Sequence, residues 1–403
     1  MKAILIYLAL LTATCSLPVF AHGKASVEAA SDRFIQFPDV EGKTTMVVDL
    51  HTHSVFSDGH VWPTIRVAEA LKDGLDAFAV TEHLEWQPHL EDIPHPDRNR
   101  SYNEALTAAE DTDLMVIRGS EITRESPAGH INAIFIQDSN PLFHPGDVIS
   151  DPFDPVDYYR QANEWPADAA LKTARAQGAF IFWNHPYWTR QRPDGIAQIT
   201  KFHKAMIKSD NLHGIEIANG AEYSEEAHAI ALKHKLVLLG VSDVHNLIDW
   251  DYTPHTGGHR PVTLVFTNGS QQKDLKDALF AGHTVVWHKN LLIGRQEELA
   301  PLLDASLTFS TVTTLKDTSI AEVTISNHSD ANFQLRNTSA HTFMGFSDLI
   351  VVPPHASTDL RVKIPDNDGA LELSFDVLNA LVAPKKHPVI TFTGSLPDDK
   401  ELK

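Results

Sequence analysis

A series of short apolar runs, each meeting a histidine, aspartate or glutamate, constrains this chain more than anything else in it. Val47 to Leu50 runs into His51-Thr52-His53, and Leu75 to Val80 into Thr81-Glu82-His83. Leu114 to Arg118 leads to Gly119-Ser120-Glu121, and Gly129-His130 opens the run Ile131 to Ile136. Ala179 to Trp183 stops at Asn184-His185-Pro186, and Leu236 to Val241 at Ser242-Asp243-Val244-His245. Short apolar runs such as Ala179 to Trp183 suit strands buried on both faces of a sheet. In a strand, residues i and i+2 share a face, so His51 with His53, and Asp243 with His245, present paired ligand atoms to one side. A single His-x-His is as readily an ordinary strand edge; its recurrence beside successive strands argues for a metal site. Imidazole and carboxylate are ligands of divalent transition metals. In parallel α/β barrels the C-terminal strand ends gather on one face, so these side chains are expected to converge.

The intervening segments fit that plan. Pro63 to Lys72 is helical, with Ile65, Val67, Ala68 and Leu71 on one side and Gly74 as its stop. Further helices are expected over Tyr102–Asp111, Trp165–Gln177, Glu222–His234 and Lys273–Ala281, and strands over Gly214–Ala218, Val262–Thr267 and Thr284–His288. Trp86 to Arg100 reads as a loop at the mouth of the site, with His89 and His95 on its surface. His228 and His234 read as solvated. Ser139 to Asp157 is a connecting loop, and Asp249 to Arg260, with Gly257-Gly258, is a loop positioned to close over the site. Beyond about Ala305, runs such as Leu307–Thr314, Ala321–Asn327, Ser357–Ile364 and Ala370–Val377 are separated by Asp, Asn, Pro and Gly. They predict a β-sandwich of about a hundred residues. The expected architecture is therefore an α/β barrel over residues 46–294 and a β-rich domain over 305–397, preceded by an arm over 22–45.

Residues 1–21 read as an export signal: Met1-Lys2 is basic, Ala3 to Thr14 apolar, and Val19-Phe20-Ala21 a small-residue cleavage site. The run is too short for a stable membrane span. Cleavage after Ala21 would remove Cys15, the only cysteine, leaving nitrogen and oxygen ligands alone. A periplasmic or secreted protein is the expectation. The formal charge of −20 argues against a nucleic-acid partner, but not against a small phosphate ester. A homo-oligomer is left open.

DLHTHSVFSDG followed by TEH, GSEI, GHIN, NHP and SDVH resembles the PHP (polymerase and histidinol phosphatase) superfamily of metal-dependent phosphoesterases, from about Met46 to about Gly294. Export and the extra C-terminal segment resemble the exported bacterial phosphodiesterases of the Sb-PDE type. The resemblance implies a distorted (β/α)7-type barrel and three divalent metal ions, for which mixed imidazole and carboxylate ligands suit Mn, Zn or Fe. It implies one ion on His51, His53, Glu121 and Asp243, a second on Glu121, His130 and His185, and a third on Asp58, His83 and His245. Asp58 stands where some family phosphatases carry histidine.

That set implies hydrolysis of phosphodiesters by a metal-bridged hydroxide, because bound cations bring the pKa of water from 15.7 to about 7 in favourable cases. Glu121 and Asp243 are the expected catalytic residues, Glu121 as a bridging carboxylate and Asp243 also as a general base. Arg124 and Arg260 are the favoured substrate cations, ahead of Arg118, Arg190 and Lys289. Tyr187-Trp188-Thr189-Arg190 is expected at the substrate rim. Two alternatives stay open: a phosphomonoesterase of the histidinol-phosphatase kind, and a non-catalytic metal-binding protein.

Overall fold

The computed structural model describes residues 33–143, 153–364 and 370–395. The expected export signal, most of the arm's first half and part of the 139–157 loop lie outside them.

Eleven consecutive strands, joined by a twelfth from the C-terminal part, build the larger sheet: β1 (Thr44–Asp49), β2 (Ala77–Val80), β3 (Met115–Ile122), β4 (Ile131–Ile134), β5 (Phe180–Trp183), β6 (Gly214–Asn219), β7 (Glu222–Tyr223), β8 (Val237–Val241), β9 (Val262–Thr267), β10 (Thr284–His288) and β11 (Leu291–Gly294). The pairs β1–β2, β2–β3, β5–β6 and β6–β8 are parallel, and the crossover helices that parallel strands require lie between them. Antiparallel β4 sits between β3 and β5, and β9 to β11 extend the other side of β1. The sheet curls until its separated parts meet. Val244 bridges Thr52, Asp243 N–H donates to His51 O at 2.9 Å, and Thr263 Oγ1 of β9 donates to Gly240 O of β8 at 2.9 Å. The result is a distorted α/β barrel. Phe180 and Phe182 on β5 are fully buried, each contributing roughly 2–3 kcal/mol of apolar burial.

Four features depart from the sequence expectation along this path. Strand β3 continues through Glu121 to Ile122, because its last residues find a new antiparallel partner in β4. Helices Lys201–Lys208 and Gln296–Ser306 occupy stretches with no predicted element, and Pro155–Ala162 turns the end of the expected loop into a helix.

The C-terminal residues form a β-sandwich. One sheet holds Leu307–Thr314, Ile320–Asn327, Ser357–Lys363 and Thr342–Phe343; the other holds Leu349–Val352, Phe333–Asn337, Ala370–Val377 and Val389–Ser395. Inward positions are buried and outward ones are not, as in Ile320–Asn327. The two domains are stitched together. Ala380–Leu381 leaves the sandwich and pairs in parallel with Leu292–Ile293 of β11, covering that edge of the barrel sheet. From the N-terminal side, Ile35 N–H donates to Asp73 O and Gln36 N–H to Asp330 Oδ2.

His203 and His228 are buried against the barrel, contrary to the solvated reading of His228. His203 stacks on Trp183 at 3.7 Å between centroids, and His228 hydrogen-bonds Tyr223 OH at 3.0 Å. Burial lowers the pKa of each to about 4. A histidine whose folded pKa lies below its unfolded 6.5 contributes stability that is complete above pH 6.5 and lost as pH falls toward 4. The H228Q variant should therefore show a shallower decline of unfolding free energy across that window, by about 1.4 kcal/mol per pH unit, one proton's worth. Urea unfolding at several pH values measures it; a slope identical to wild type would refute the assignment.

Candidate metal centre

The strand ends carry the ligands because the backbone there is locked from several sides. Asp49, the last residue of β1, accepts from Ser242 N at 3.0 Å and Ser242 Oγ at 2.6 Å, tying the β8 end to the β1 end. Arg66, buried on helix Pro63–Lys72, donates to His53 O at 2.8 Å, Val244 O at 3.2 Å and Asn246 O at 2.7 Å. Neither residue was singled out from the sequence.

All nine expected ligands converge. His51 Nε2 and His53 Nε2 lie 2.9 Å apart, each 3.1 Å from Asp243 Oδ1. Glu121 Oε2 is 3.4 Å from His51 Nε2, 3.3 Å from His53 Nε2 and 2.8 Å from His83 Nδ1. Its other oxygen, Oε1, is 2.9 Å from His130 Nδ1 and 3.6 Å from His185 Nε2. Asp58 Oδ1 is 3.1 Å from His245 Nε2 and 3.4 Å from His83 Nε2. Three groupings have ligand atoms close enough to share an ion: His51, His53 and Asp243; His53, Asp58, His83 and His245; and His83, Glu121 and His130. His83 faces both of the latter two, while His185 stands slightly outside the third.

The donor set fits divalent cations. Glu121 Oε2 and Asp58 Oδ1 are buried with no hydrogen-bond partner, an arrangement costly in a carboxylate unless a cation meets it. For His51, His53 and His245 the other ring nitrogen is already engaged, as is usual for metal-binding histidines. His51 Nδ1 lies 2.7 Å from Glu216 Oε1, His53 Nδ1 3.2 Å from Ser57 Oγ, and His245 Nδ1 2.8 Å from Asp243 O. Ser57 Oγ in turn donates to Glu82 Oε2 at 2.5 Å.

Electrostatics agree with this arrangement. Burial opposes charge on His51, yet Asp243, Glu216 and Glu121 together hold its pKa well above the ordinary imidazole value. Burial likewise opposes ionisation of Glu121 and Asp243. The surrounding histidines outweigh it and hold both carboxyls well below the usual range. For His130 burial wins, and its pKa falls to about 4.

Arg124 and Arg260 do not face the site. Arg124 is buried beside Glu85, 2.9 Å from Oε1, and donates to Ala162 O at 2.7 Å and Trp165 O at 2.6 Å. Arg260 is buried between Asp49 at 3.2 Å and Asp73 at 2.6 Å. Their partners lie far away in sequence, so both charges read as free until the fold supplies the carboxylates. Arg118 donates to Gln137 O and covers Tyr102. His95 is also buried, 2.9 Å from Gln87 Oε1. Trp188 does line the centre, its ring 5.3 Å from His130 and 5.4 Å from His185, with exposed Arg190 over it at 5.7 Å.

Comparison with solved structures finds a two-domain protein from Bacteroides vulgatus containing a predicted PHP-like metal-dependent phosphoesterase. It is 36% identical with a TM-score of 0.79, covering 89% of this chain and 98% of that one. A candidate metal-dependent phosphoesterase from Bifidobacterium adolescentis is 19% identical with a TM-score of 0.35, covering 50% and 88%. An amidohydrolase from Chromobacterium violaceum, solved with bound sulfate and no metal, is 17% identical with a TM-score of 0.34, covering 49% and 87%. Residues 307–393 match an Ig-like domain family. No curated protein matches the sequence.

Proposed function

The chain belongs to the PHP-like metal-dependent phosphoesterases, and from that premise we propose that it hydrolyses phosphodiesters with a three-metal centre. The observation that carries the proposal is the position of Glu121, whose two carboxylate oxygens face different histidine sets. His51, His53, Glu121 and Asp243 would hold one ion, Glu121, His130 and His185 a second, and Asp58, His83 and His245 a third. Such ions supply Lewis acidity toward a phosphoryl group and acidify water to near-neutral pKa.

The chain's own residues supply the rest. The buried carboxylates concentrate negative charge that neutral ligands alone would not. Asp243 stays ionised at any physiological pH, which suits ligation; the same depressed pKa makes it a weak proton acceptor, so ligation is the role we assign it. Trp188 walls one side of the centre, and Arg190 beyond it is placed for a phosphate oxygen. A small phosphate ester suits this site. We further propose export, which the basic and apolar pattern of residues 1–21 supports. Among the described residues no helix is long and apolar enough to cross a membrane.

The test is a rate comparison on metal-stripped protein reloaded with Mn. Bis(p-nitrophenyl) phosphate should be cleaved faster than p-nitrophenyl phosphate. The opposite order would assign a phosphomonoesterase, and no turnover with any divalent ion would remove the enzymatic reading.

A further inference from the structure

We propose that Glu216 is a positioning residue that makes His51 a metal ligand, by dictating which of its ring nitrogens carries the proton. This rests on the reading of His51 as a ligand. Glu216 is fully buried in the middle of β6, and among the described residues no lysine or arginine pairs with it. Three donors meet its carboxylate instead. His51 Nδ1 lies 2.7 Å from Oε1, while His185 N–H at 2.7 Å and the Asn219 side-chain amide at 2.8 Å donate to Oε2. The same Asn219 amide reaches Asp243 Oδ2 at 3.2 Å. One carboxylate thus ties together three of the expected ligands.

Two of those ligands have unusual backbones. His185 has φ of 24° and Asp243 φ of 51°, conformations that residues other than glycine adopt only when their surroundings hold them. The His185 N–H bond to Glu216 is one such hold, and the Asp243 N–H bond to His51 O is another.

The proton logic follows from donor and acceptor inventories. A carboxylate that accepts at both oxygens leaves His51 to donate from Nδ1, so when a metal ion displaces one ring proton the nitrogen that yields its lone pair is Nε2. Nε2 is the atom that faces His53 Nε2 at 2.9 Å and Asp243 Oδ1 at 3.1 Å. The E216Q substitution keeps shape but breaks this logic. The backbone N–H of His185 cannot accept, so the glutamine carbonyl must take the Oε2 position. Its NH₂ then faces His51 Nδ1, which must accept. The ring proton moves to Nε2 and occupies the lone pair a metal needs.

Wild-type and E216Q proteins, stripped of metal, are titrated with Zn alone against a competing chelator, with bound zinc counted by elemental analysis. We expect E216Q to lose tight binding at one position, its affinity falling roughly 10- to 100-fold, with the metal-free melting temperature unchanged. A merely structural role would lower that melting temperature and leave affinity per folded molecule intact, which would overturn the proposal. A second measurement does not depend on the variant folding. In a long-range ¹H–¹⁵N spectrum of zinc-loaded wild type, His51 should show a protonated Nδ1 and an unprotonated Nε2; the reverse tautomer overturns the proposal. Wild type that binds no zinc removes the underlying reading, whereas zinc-binding wild type with an indistinguishable E216Q removes only the role of Glu216.

Discussion

Glu121→Ala is expected to leave the protein folded while lowering turnover of phosphate esters by roughly 10²- to 10³-fold or more. Glu121 is fully buried and within 3.4 Å of His51, His53, His83 and His130. Apart from these imidazoles its side chain holds one hydrogen bond, from Asn184 Nδ2 at 2.9 Å. Removing a carboxylate from such a place also removes its desolvation cost, and the imidazoles beside it can become neutral, so the effect on folding is small. The catalytic effect is large because the two oxygens serve two different ligand groups at once, His51, His53 and His83 on one side and His130 and His185 on the other. Steady-state rates, with circular dichroism and a melting temperature of the metal-free protein, measure the split. Activity within tenfold of wild type would show that Glu121 is not at the heart of the chemistry.

Arg260→Met is expected to do the reverse: to cost about 3–5 kcal/mol of folding free energy while leaving KM of the remaining folded enzyme unchanged. The guanidinium is buried between Asp49 and Asp73. Asp73 keeps a second partner in Arg33, but Asp49 has no other arginine among the described residues. The loss should therefore be felt at Ser242, which Asp49 holds at the β8 end. Urea unfolding gives the stability term. Had Arg260 been a phosphate clamp, the substitution would raise KM at intact stability, and that result would reverse the present assignment.

The ligand set was legible in the sequence because each member stands beside an apolar run, and strand geometry fixes where such residues point. Helix Pro63–Lys72 was legible to the residue, since Pro63 and Gly74 punctuate it. Other elements hid their signals. Helix Lys201–Lys208 is capped by Thr200 with His203 as the reciprocal partner, where a glutamate or glutamine would have marked a capping box. Helix Gln296–Ser306 contains Pro301 in its second turn, which reads as a breaker because it removes one intrahelical hydrogen bond, yet the helix runs through it with Leu299, Leu302 and Leu303 buried. Glu216 sits in Gly214-Ile215-Glu216-Ile217, where a lone charge in a short run looks solvent-facing; only the curl of the sheet turns it toward His51. Arg124 and Arg260 were misread for the same reason in mirror image. Their partners Glu85, Asp49 and Asp73 come together only through tertiary packing. Local pattern reveals what a strand end offers, whereas charge compensation inside the core is a long-range property.

Elemental analysis of the purified protein tests the central claim most directly. The convergence of these imidazoles and carboxylates predicts more than one divalent transition metal per chain, with the content falling in Glu121→Ala. A chain that carries no metal after exposure to Mn, Zn and Fe, or a content unmoved by that substitution, would contradict it.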